Sequence, residues 1–196
     1  FNAIVGIINE DYETGDFTNY AWVNDPLYPW VIDNANIYEG VHSSKSGAGL
    51  PDGEVSHLNI NIDVTADGDI SFFKFVSSEQ DYDFLQFYID GNKQGEWSGI
   101  DNAWSFVSFP VTVGNHDLGW EYDKDGGLAD GQDCAWIDYI VFPPMYIAPS
   151  AVVESKIDFE LFPNPTMGSF NLTFNDVINH EVEIYDNAGR IIEKMV

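Results

Sequence analysis

The sequence predicts an all-β protein, a jelly-roll β-sandwich followed by the start of a second, smaller β-sandwich. Short runs of aromatic and β-branched residues recur along the chain, five Asp-Gly pairs lie between or beside them, and no stretch of ten residues shows a convincing helical pattern. Many short strands at this spacing are typical of sandwiches and barrels, and about 140 residues is a comfortable size for a jelly roll.

The strands can be assigned in chain order from their side chains. In the first part of the chain, five runs have strand composition: residues 70–76, 83–89, 106–113, 116–122 and 136–142. Asp and Gly tolerate the positive φ that hairpin turns need, so each Asp-Gly pair is a predicted turn. Near the C-terminus, two more strands are predicted at 170–174 and 182–185, and a turn at 187–189 leads into a third.

The chain divides at a proline-containing segment. Three prolines between residues 143 and 156 interrupt regular pairing, which predicts a linker at 145–157. The first domain is therefore expected at 8–144 and a C-terminal part at 158–196. Residues 1–144 carry four lysines against 25 acidic side chains, whereas residues 145–196 carry three basic and eight acidic ones.

Composition excludes several functions. A net charge of −26 and a single arginine argue against nucleic-acid binding, because that depends on basic side chains neutralising phosphates. The same charge favours cations as ligands. No run approaches 18 apolar residues, so no membrane insertion is expected. One cysteine, Cys134, excludes an internal disulfide. The chain opens at Phe1 without a signal peptide, and we expect a longer parent protein.

The C-terminal part has a distinctive pattern, Phe162-Pro163-Asn164-Pro165-Thr166-Met167-Gly168 followed by Val182-Glu183-Ile184-Tyr185-Asp186-Asn187-Ala188-Gly189. It resembles the C-terminal sorting domain of the bacterial type IX secretion system, over residues 158–196. The resemblance implies type IX machinery as a partner and a secreted protein or one on the exterior of the outer membrane. The sorting signal it implies comprises Pro163, Asn164, Pro165, Gly168 and Gly189.

The first domain also has a series of short motifs in a fixed order. They include Asp11-Tyr12-Glu13-Thr14-Gly15, Pro29-Trp30-Val31, Tyr38-Glu39-Gly40, Tyr82-Asp83-Phe84-Leu85 and Asp133-Cys134-Ala135-Trp136-Ile137-Asp138. From about residue 8 to 144 the series resembles the cleaved-adhesin (choice-of-anchor J) domains, jelly-roll modules of gingipain-type peptidases and other type IX cargo. The resemblance implies a structural Ca²⁺ site, adhesion to host proteins or glycans in some members, and no catalysis.

Asp138 is the first candidate for chemistry. Within 136–142 the period of two places Trp136, Asp138, Ile140 and Phe142 on one face. A buried carboxylate among large apolar neighbours needs a partner, either a cation or a hydrogen-bond network. The alternative is that this face points outward and Asp138 is solvated.

The resemblance assigns calcium ligands. It pairs Asp138 with an acidic residue of the first strand, Glu13 rather than Asp11, and adds Glu39 and Ser46 from the following loop. Oxygen ligands from distant chain positions suit Ca²⁺ better than a transition metal. A second metal loop is an alternative at Asp125 and Asp133. An EF-hand is excluded there because its terminal glutamate is missing, and a solvated turn is the simpler interpretation.

Trp97 and Trp104 flank a short loop, residues 98–103, and are the best candidates to bind a glycan or an extracellular protein. The alternative is that both rings belong to the core, as aromatic residues of sandwiches usually do. Enzyme motifs are poor: Ile184 replaces the second histidine of a zinc-protease motif begun by His180-Glu181, and no Gly-x-Ser-x-Gly elbow occurs.

The sequence therefore predicts a non-catalytic, calcium-stabilised adhesin-type module exported by type IX secretion. The alternative is an accessory domain of a secreted peptidase or glycoside hydrolase whose catalytic part lies upstream. A structural spacer is a third hypothesis. The ligand and the oligomeric state stay open.

Overall fold

The computed structural model describes residues 8–47 and 49–146, together with four strands between 159 and 195. The chain divides into two compact units, residues 1–146 and 147–196. The strands of the first unit are β1 Asn9–Glu10, β2 Val23–Asn24, β3 Val31–Asp33, β4 Ser43–Lys45, β5 Val55–Val64, β6 Gly68–Ser77, β7 Phe84–Ile89, β8 Asn92–Trp97, β9 Ser105–Val111, β10 Gly114–Asp123 and β11 Cys134–Val141.

These strands form two antiparallel sheets. A six-stranded sheet has the order β3-β4-β11-β6-β9, with β1 paired to β11, and a five-stranded sheet has the order β2-β5-β10-β7-β8. From β4 to β11, consecutive strands lie in different sheets except for the pair β7 and β8. The first unit is therefore a jelly-roll sandwich, and the predicted fold class is confirmed.

The core lies between the two sheets. Alternating side chains of β5, β6, β7 and β10 point inward. At its centre the fully buried Trp120 packs against Phe72 and Phe87, with ring centroids 5.4 and 4.9 Å away. The opposite side chains point outward, so each sheet presents an outer face on which a ligand can be bound.

The five strands predicted in this unit correspond to β6, β7, β9, β10 and β11, each within two residues at either end. The hairpin predicted at Asp90-Gly91 joins β7 to β8, and both residues have the positive φ of a two-residue turn (52° and 72°). The prediction missed β1 to β4, which are only two or three residues long, as well as β5 and β8. The outward positions of β5 and β8 carry mostly polar side chains, and neither strand is rich in aromatic or β-branched residues throughout.

The face assigned to Asp138 requires a correction. Asp138 pairs with Phe73, but the register shifts before Val141, and Tyr139 within this β-bulge has a φ of 46°. Trp136 and Asp138 therefore lie on the outer face, whereas Ile140 and Phe142 lie in the core. The expectation of one common face was wrong because a bulge adds a residue and interrupts the period of two. Asp138 is nevertheless fully buried.

The second unit contains two described hairpins. β12 (Phe159–Phe162) pairs with β13 (Asn171–Phe174), and β14 (Val182–Tyr185) pairs with β15 (Ile191–Met195), both antiparallel. The three strands predicted here correspond to β13, β14 and β15. The predicted sorting residues Pro163, Asn164, Pro165, Gly168 and Gly189 lie outside the described residues. A search of the described part of the chain finds no helix with the length and apolar character to span a membrane.

Candidate functional site

The buried carboxylate of Asp138 binds the backbone of a covering loop. Its Oδ2 atom accepts hydrogen bonds from the N–H groups of Tyr38 (2.9 Å) and Glu39 (3.2 Å). Its Oδ1 atom accepts one from the N–H of Tyr139 (2.7 Å). Burial raises the pKa of Asp138 to about 6, although these donors favour the ionised form. Of the two partners expected for this group, the structure shows a hydrogen-bond network.

Glu13 binds the next part of the same loop. Its Oε1 atom accepts hydrogen bonds from the N–H groups of Val41 (2.8 Å) and His42 (2.9 Å). Gly40 permits this approach, because a Cβ atom there would lie 2.2 Å from Oε1, and its φ is +69°. Two carboxylates from distant chain positions thus hold residues 38–42 through four peptide N–H groups. We call Glu13 and Asp138 the loop clamp.

The loop clamp contains two of the four predicted calcium ligands. Ser46, the third predicted ligand, accepts a hydrogen bond from the N–H of Ala135 (2.9 Å) through Oγ, and Glu39 is exposed. Among the described residues, no group of three or more His, Cys, Asp or Glu side chains could hold a metal ion. In this arrangement the clamp oxygens bind peptide N–H groups rather than a shared cation, so calcium binding stays a prediction.

The second acidic loop contains its own cation. The side chain of Lys124 is almost completely buried and forms ion pairs with Asp52 (Nζ–Oδ1 2.7 Å) and Asp133. Asp125 lies in a separate turn, where its Oδ1 atom accepts a hydrogen bond from the N–H of Gly127 (2.7 Å). An ammonium group therefore faces Asp133, and a metal-binding role for Asp125 and Asp133 stays a prediction.

A further buried acid, Glu10, was missed by sequence reasoning. Its two oxygens accept hydrogen bonds from the N–H of Tyr12 (2.9 Å) and from Nε1 of Trp22 (3.1 Å). The residue is fully buried, and burial raises its pKa. Its position directly after the apolar Ile7-Ile8 pair and Asn9 was the available signal, because β1 adds to the sheet there.

Trp97 packs at the edge of the core. Its ring lies perpendicular to Phe72, 6.2 Å between centroids, and 6.4 Å from Phe109. The ring also covers Gly95, where a Cβ atom would lie 2.6 Å from it, and the ammonium of the buried Lys74 lies 5.6 Å from its centroid. Trp97 thus closes the side of the sandwich between the edge strands β8 and β9.

Trp104 lies on the opposite side of the six-stranded sheet. Its ring centroid is 5.8 Å from that of Phe75 and 6.1 Å from that of Tyr38. We expected Trp97 and Trp104 to share one binding surface. Because β8 directs Trp97 inward, the two indoles do not form one surface. A ligand role for Trp104 stays a prediction.

Trp104 belongs to an aromatic patch on this outer face. Tyr38 stacks on Phe73 with centroids 3.5 Å apart, and Phe73 packs against Phe106 at 5.3 Å. Tyr38 and Phe106 are 42% and 58% exposed. Below, the buried Trp136 supports Phe75, at 5.7 Å. We call the five residues above Trp136 on the solvent side the aromatic strip: Tyr38, Phe73, Phe75, Trp104 and Phe106.

The loop clamp and the aromatic strip are connected. One of the N–H groups that donate a hydrogen bond to the Asp138 carboxylate is that of Tyr38, the residue whose ring stacks on Phe73. Asp138 therefore fixes the backbone from which Tyr38, one of the two exposed residues of the strip, projects.

Comparison with known proteins separates the two parts of the chain. The family model of the secretion system C-terminal sorting domain matches residues 160–196. The C-terminal part is a sorting domain. This confirms the predicted type IX sorting domain, and it indicates a secreted or cell-surface protein. No curated protein matches the chain.

Several solved structures are similar to the sandwich. The secreted serine protease VesC from Vibrio cholerae is 18% identical with a TM-score of 0.44; the match covers 63% of this chain but only 26% of the protease. The CBM22-1 xylan-binding domain of Paenibacillus barcinonensis Xyn10C is 13% identical with a TM-score of 0.49, covering 72% of this chain and 95% of that one. A family 35 carbohydrate-binding module from Clostridium thermocellum is 12% identical (TM-score 0.43; 71% and 99% covered). At these identities and TM-scores, none carries an argument about ligand.

Proposed function

We propose that the sandwich is a non-catalytic glycan-binding module of an exported protein, and that the aromatic strip is its binding surface. The observation that carries the proposal is a cluster of five aromatic rings on one sheet face, of which Tyr38 and Phe106 are exposed and the other three half-buried. Proteins that act alone rarely expose a contiguous apolar patch without a function for it. On a chain of net charge −26, such a patch is a strong departure from the rest of the surface.

The geometry of the strip suits a sugar chain. Phe73 pairs with Phe106 across β6 and β9, and Ser71 pairs with Ser108 in the next outward row. Outward side chains on a strand repeat every ~6.8 Å, so the two serine hydroxyls lie one repeat beyond the aromatic pair on the same sheet face. Aromatic rings can pack on the apolar faces of sugar rings, while the serine hydroxyls can donate to and accept from sugar hydroxyl groups.

The negative charge of the sandwich restricts the class of glycan that it can bind. The first 144 residues carry 25 acidic side chains against four lysines, which disfavours uronic-acid and sulfated polysaccharides. A neutral glycan meets no such repulsion. The sorting domain implies export by the type IX machinery, which is the partner for this step. The exported protein then meets glycans outside the cell.

Calcium stabilisation and an adhesive role belong to the same proposal. Ca²⁺ bound near Glu13 and Asp138 would hold residues 38–42 and with them Tyr38, so calcium would support the strip. The acidic character of the domain and the buried position of Asp138 support this part.

The test is binding of the full 196-residue chain to xylan, mixed-linkage β-glucan and galactan by affinity electrophoresis. Trp104→Ala and Phe106→Ala are expected to weaken binding at least tenfold, because aromatic anchors often carry about 2 kcal/mol or more. Tyr82→Ala is the matched control, since Tyr82 is equally exposed (57%) but lies outside the strip. Equal retardation of wild type and both strip variants would contradict the assignment of this surface.

A further inference from the structure

A groove of about 450 Å³ crosses the outer face of the five-stranded sheet, on the side of the sandwich away from the aromatic strip. Four residues of neighbouring strands lie side by side across it. Val23 pairs with Asn59, Asn59 with Gly119, and Gly119 with Tyr88. With strands ~4.8 Å apart, Val23 and Tyr88 stand ~14 Å apart as two walls of the groove.

Gly119 produces the groove. It lies in the middle of β10, where every other outward position carries a side chain. The amide oxygen of Asn59 lies over it, so that a Cβ atom on residue 119 would be only 2.6 Å from that oxygen. A glycine in the interior of a strand commonly marks a place where another group approaches the backbone. Here the group that approaches is the side chain of Asn59, which with Gly119 forms the floor between the two walls.

Polar side chains at both ends of the groove are already held in place. At one end the Nδ2 atom of Asn61 donates to Oδ1 of Asp117 (2.7 Å). At the other, Nδ1 of His57 lies 3.2 Å from Oε1 of Glu121. Between them the hydroxyl of Tyr88 donates to Gln86 (2.6 Å). Fixed side chains lower the ordering cost of binding.

We infer that this groove is a second ligand site and that it binds a neutral, polyhydroxylated ligand, a segment of a saccharide chain. Side-chain amides and carboxylates together offer donors and acceptors, which match hydroxyl groups that both donate and accept. The isopropyl group of Val23 and the ring of Tyr88 offer apolar contact at the two sides. Asp117 and Glu121 repel anionic ligands.

A metal ion is a poorer occupant. Asp117 and Glu121 are engaged with Asn61 and His57, and within residues 8–47 and 49–146 no group of three acidic, histidine or cysteine side chains is arranged for metal binding. The groove and the aromatic strip lie on different sheets, so the second site does not depend on the first. A module with both could contact two glycan segments at once.

The test uses the full chain, ¹⁵N-labelled, titrated with xylohexaose, cellohexaose and galactotetraose, and with tetragalacturonate as the anionic probe. We expect at least one neutral oligosaccharide to shift the amide signals of Gly119 and Tyr88, and tetragalacturonate to leave them unchanged. Gly119→Val, whose side chain would push that of Asn59 into the groove, should weaken this titration at least tenfold. Trp104→Ala on the other sheet should not change it.

Asp63→Ala is the control on the same face, because Asp63 lies on β5 beyond the groove. Tyr88→Ala is the second variant should Gly119→Val unfold, and unfolding is checked by the dispersion of the amide spectrum. No shift at Gly119 and Tyr88 with any neutral probe would overturn the inference. Equal shifts with tetragalacturonate, or a titration unaffected by both groove variants, would overturn it as well.

Discussion

Replacing Trp97 or Trp104 by alanine is expected to destabilise the sandwich unequally, because the two rings have different surroundings. Trp97 closes the core edge against Phe72 and Phe109 and covers the ammonium of Lys74. Truncation of a core tryptophan costs about 3–5 kcal/mol. Since the Trp97 ring is only half-buried, we expect the lower end of that range. Trp104 contacts Tyr38 and Phe75 on an outer face, and loss of such aromatic pairs costs ~1 kcal/mol.

The assay is urea unfolding of the full chain, followed by tryptophan fluorescence. All six tryptophans lie between residues 22 and 136, so the signal reports on the sandwich alone. The free energy of unfolding should fall by ~3 kcal/mol for Trp97→Ala and by ~1 kcal/mol for Trp104→Ala. Trp97→Phe and Trp104→Phe are the controls, and both should lie closer to wild type. Equal losses, or a larger loss for Trp104→Ala, would refute the placement of the two rings.

Three other predictions concern the loop clamp, Glu10 and the domain boundary. If Asp138 only binds peptide N–H groups, Asp138→Ala loses equal stability in Ca²⁺ and in EDTA; calcium binding predicts an extra loss in Ca²⁺, up to ~2.7 kcal/mol at a hundredfold excess over Kd. Identical wild-type melts in both buffers would end the calcium proposal. Burial raises the pKa of Glu10, so its contribution is fully present below the unfolded pKa and is lost as pH rises through the folded pKa. The stability difference between wild type and Glu10→Gln should therefore decline as the pH rises above the ordinary pKa of glutamate, and a constant difference would contradict this. Deleting residues after Lys156 should leave the melting of the sandwich nearly unchanged but block export from a type IX host, and normal surface delivery would refute the sorting role.

Much of the fold could be predicted because the strands of the core have strong local signals. Aromatic and β-branched residues mark β6, β7, β9, β10 and β11, and Asp90-Gly91 specifies its hairpin through positive φ alone. β5 was missed because polar side chains occupy four of its five outward positions, three of them asparagine or aspartate. Those polar residues belong to the surface on which the groove lies.

The candidate site was less predictable because it depends on contacts between distant residues. Nothing local shows that Tyr139 adopts a positive φ, and this bulge decides which face Asp138 occupies. The side to which Trp97 points depends on β8, an edge strand with a weak signal. Lys124 could be counted as the single basic residue of its loop, but its burial between Asp52 and Asp133 follows only from the folded chain.

We propose that this exported sandwich binds neutral glycans through the aromatic strip and through the groove on the five-stranded sheet. Isothermal titration calorimetry of the full chain with neutral and anionic polysaccharides, in wild type and in Trp104→Ala, tests it most directly. We expect heat of binding with at least one neutral polysaccharide, a Kd at least tenfold weaker in Trp104→Ala, and no heat of binding with polygalacturonate. Absence of binding to every neutral polysaccharide, or equal affinity for polygalacturonate, would contradict it.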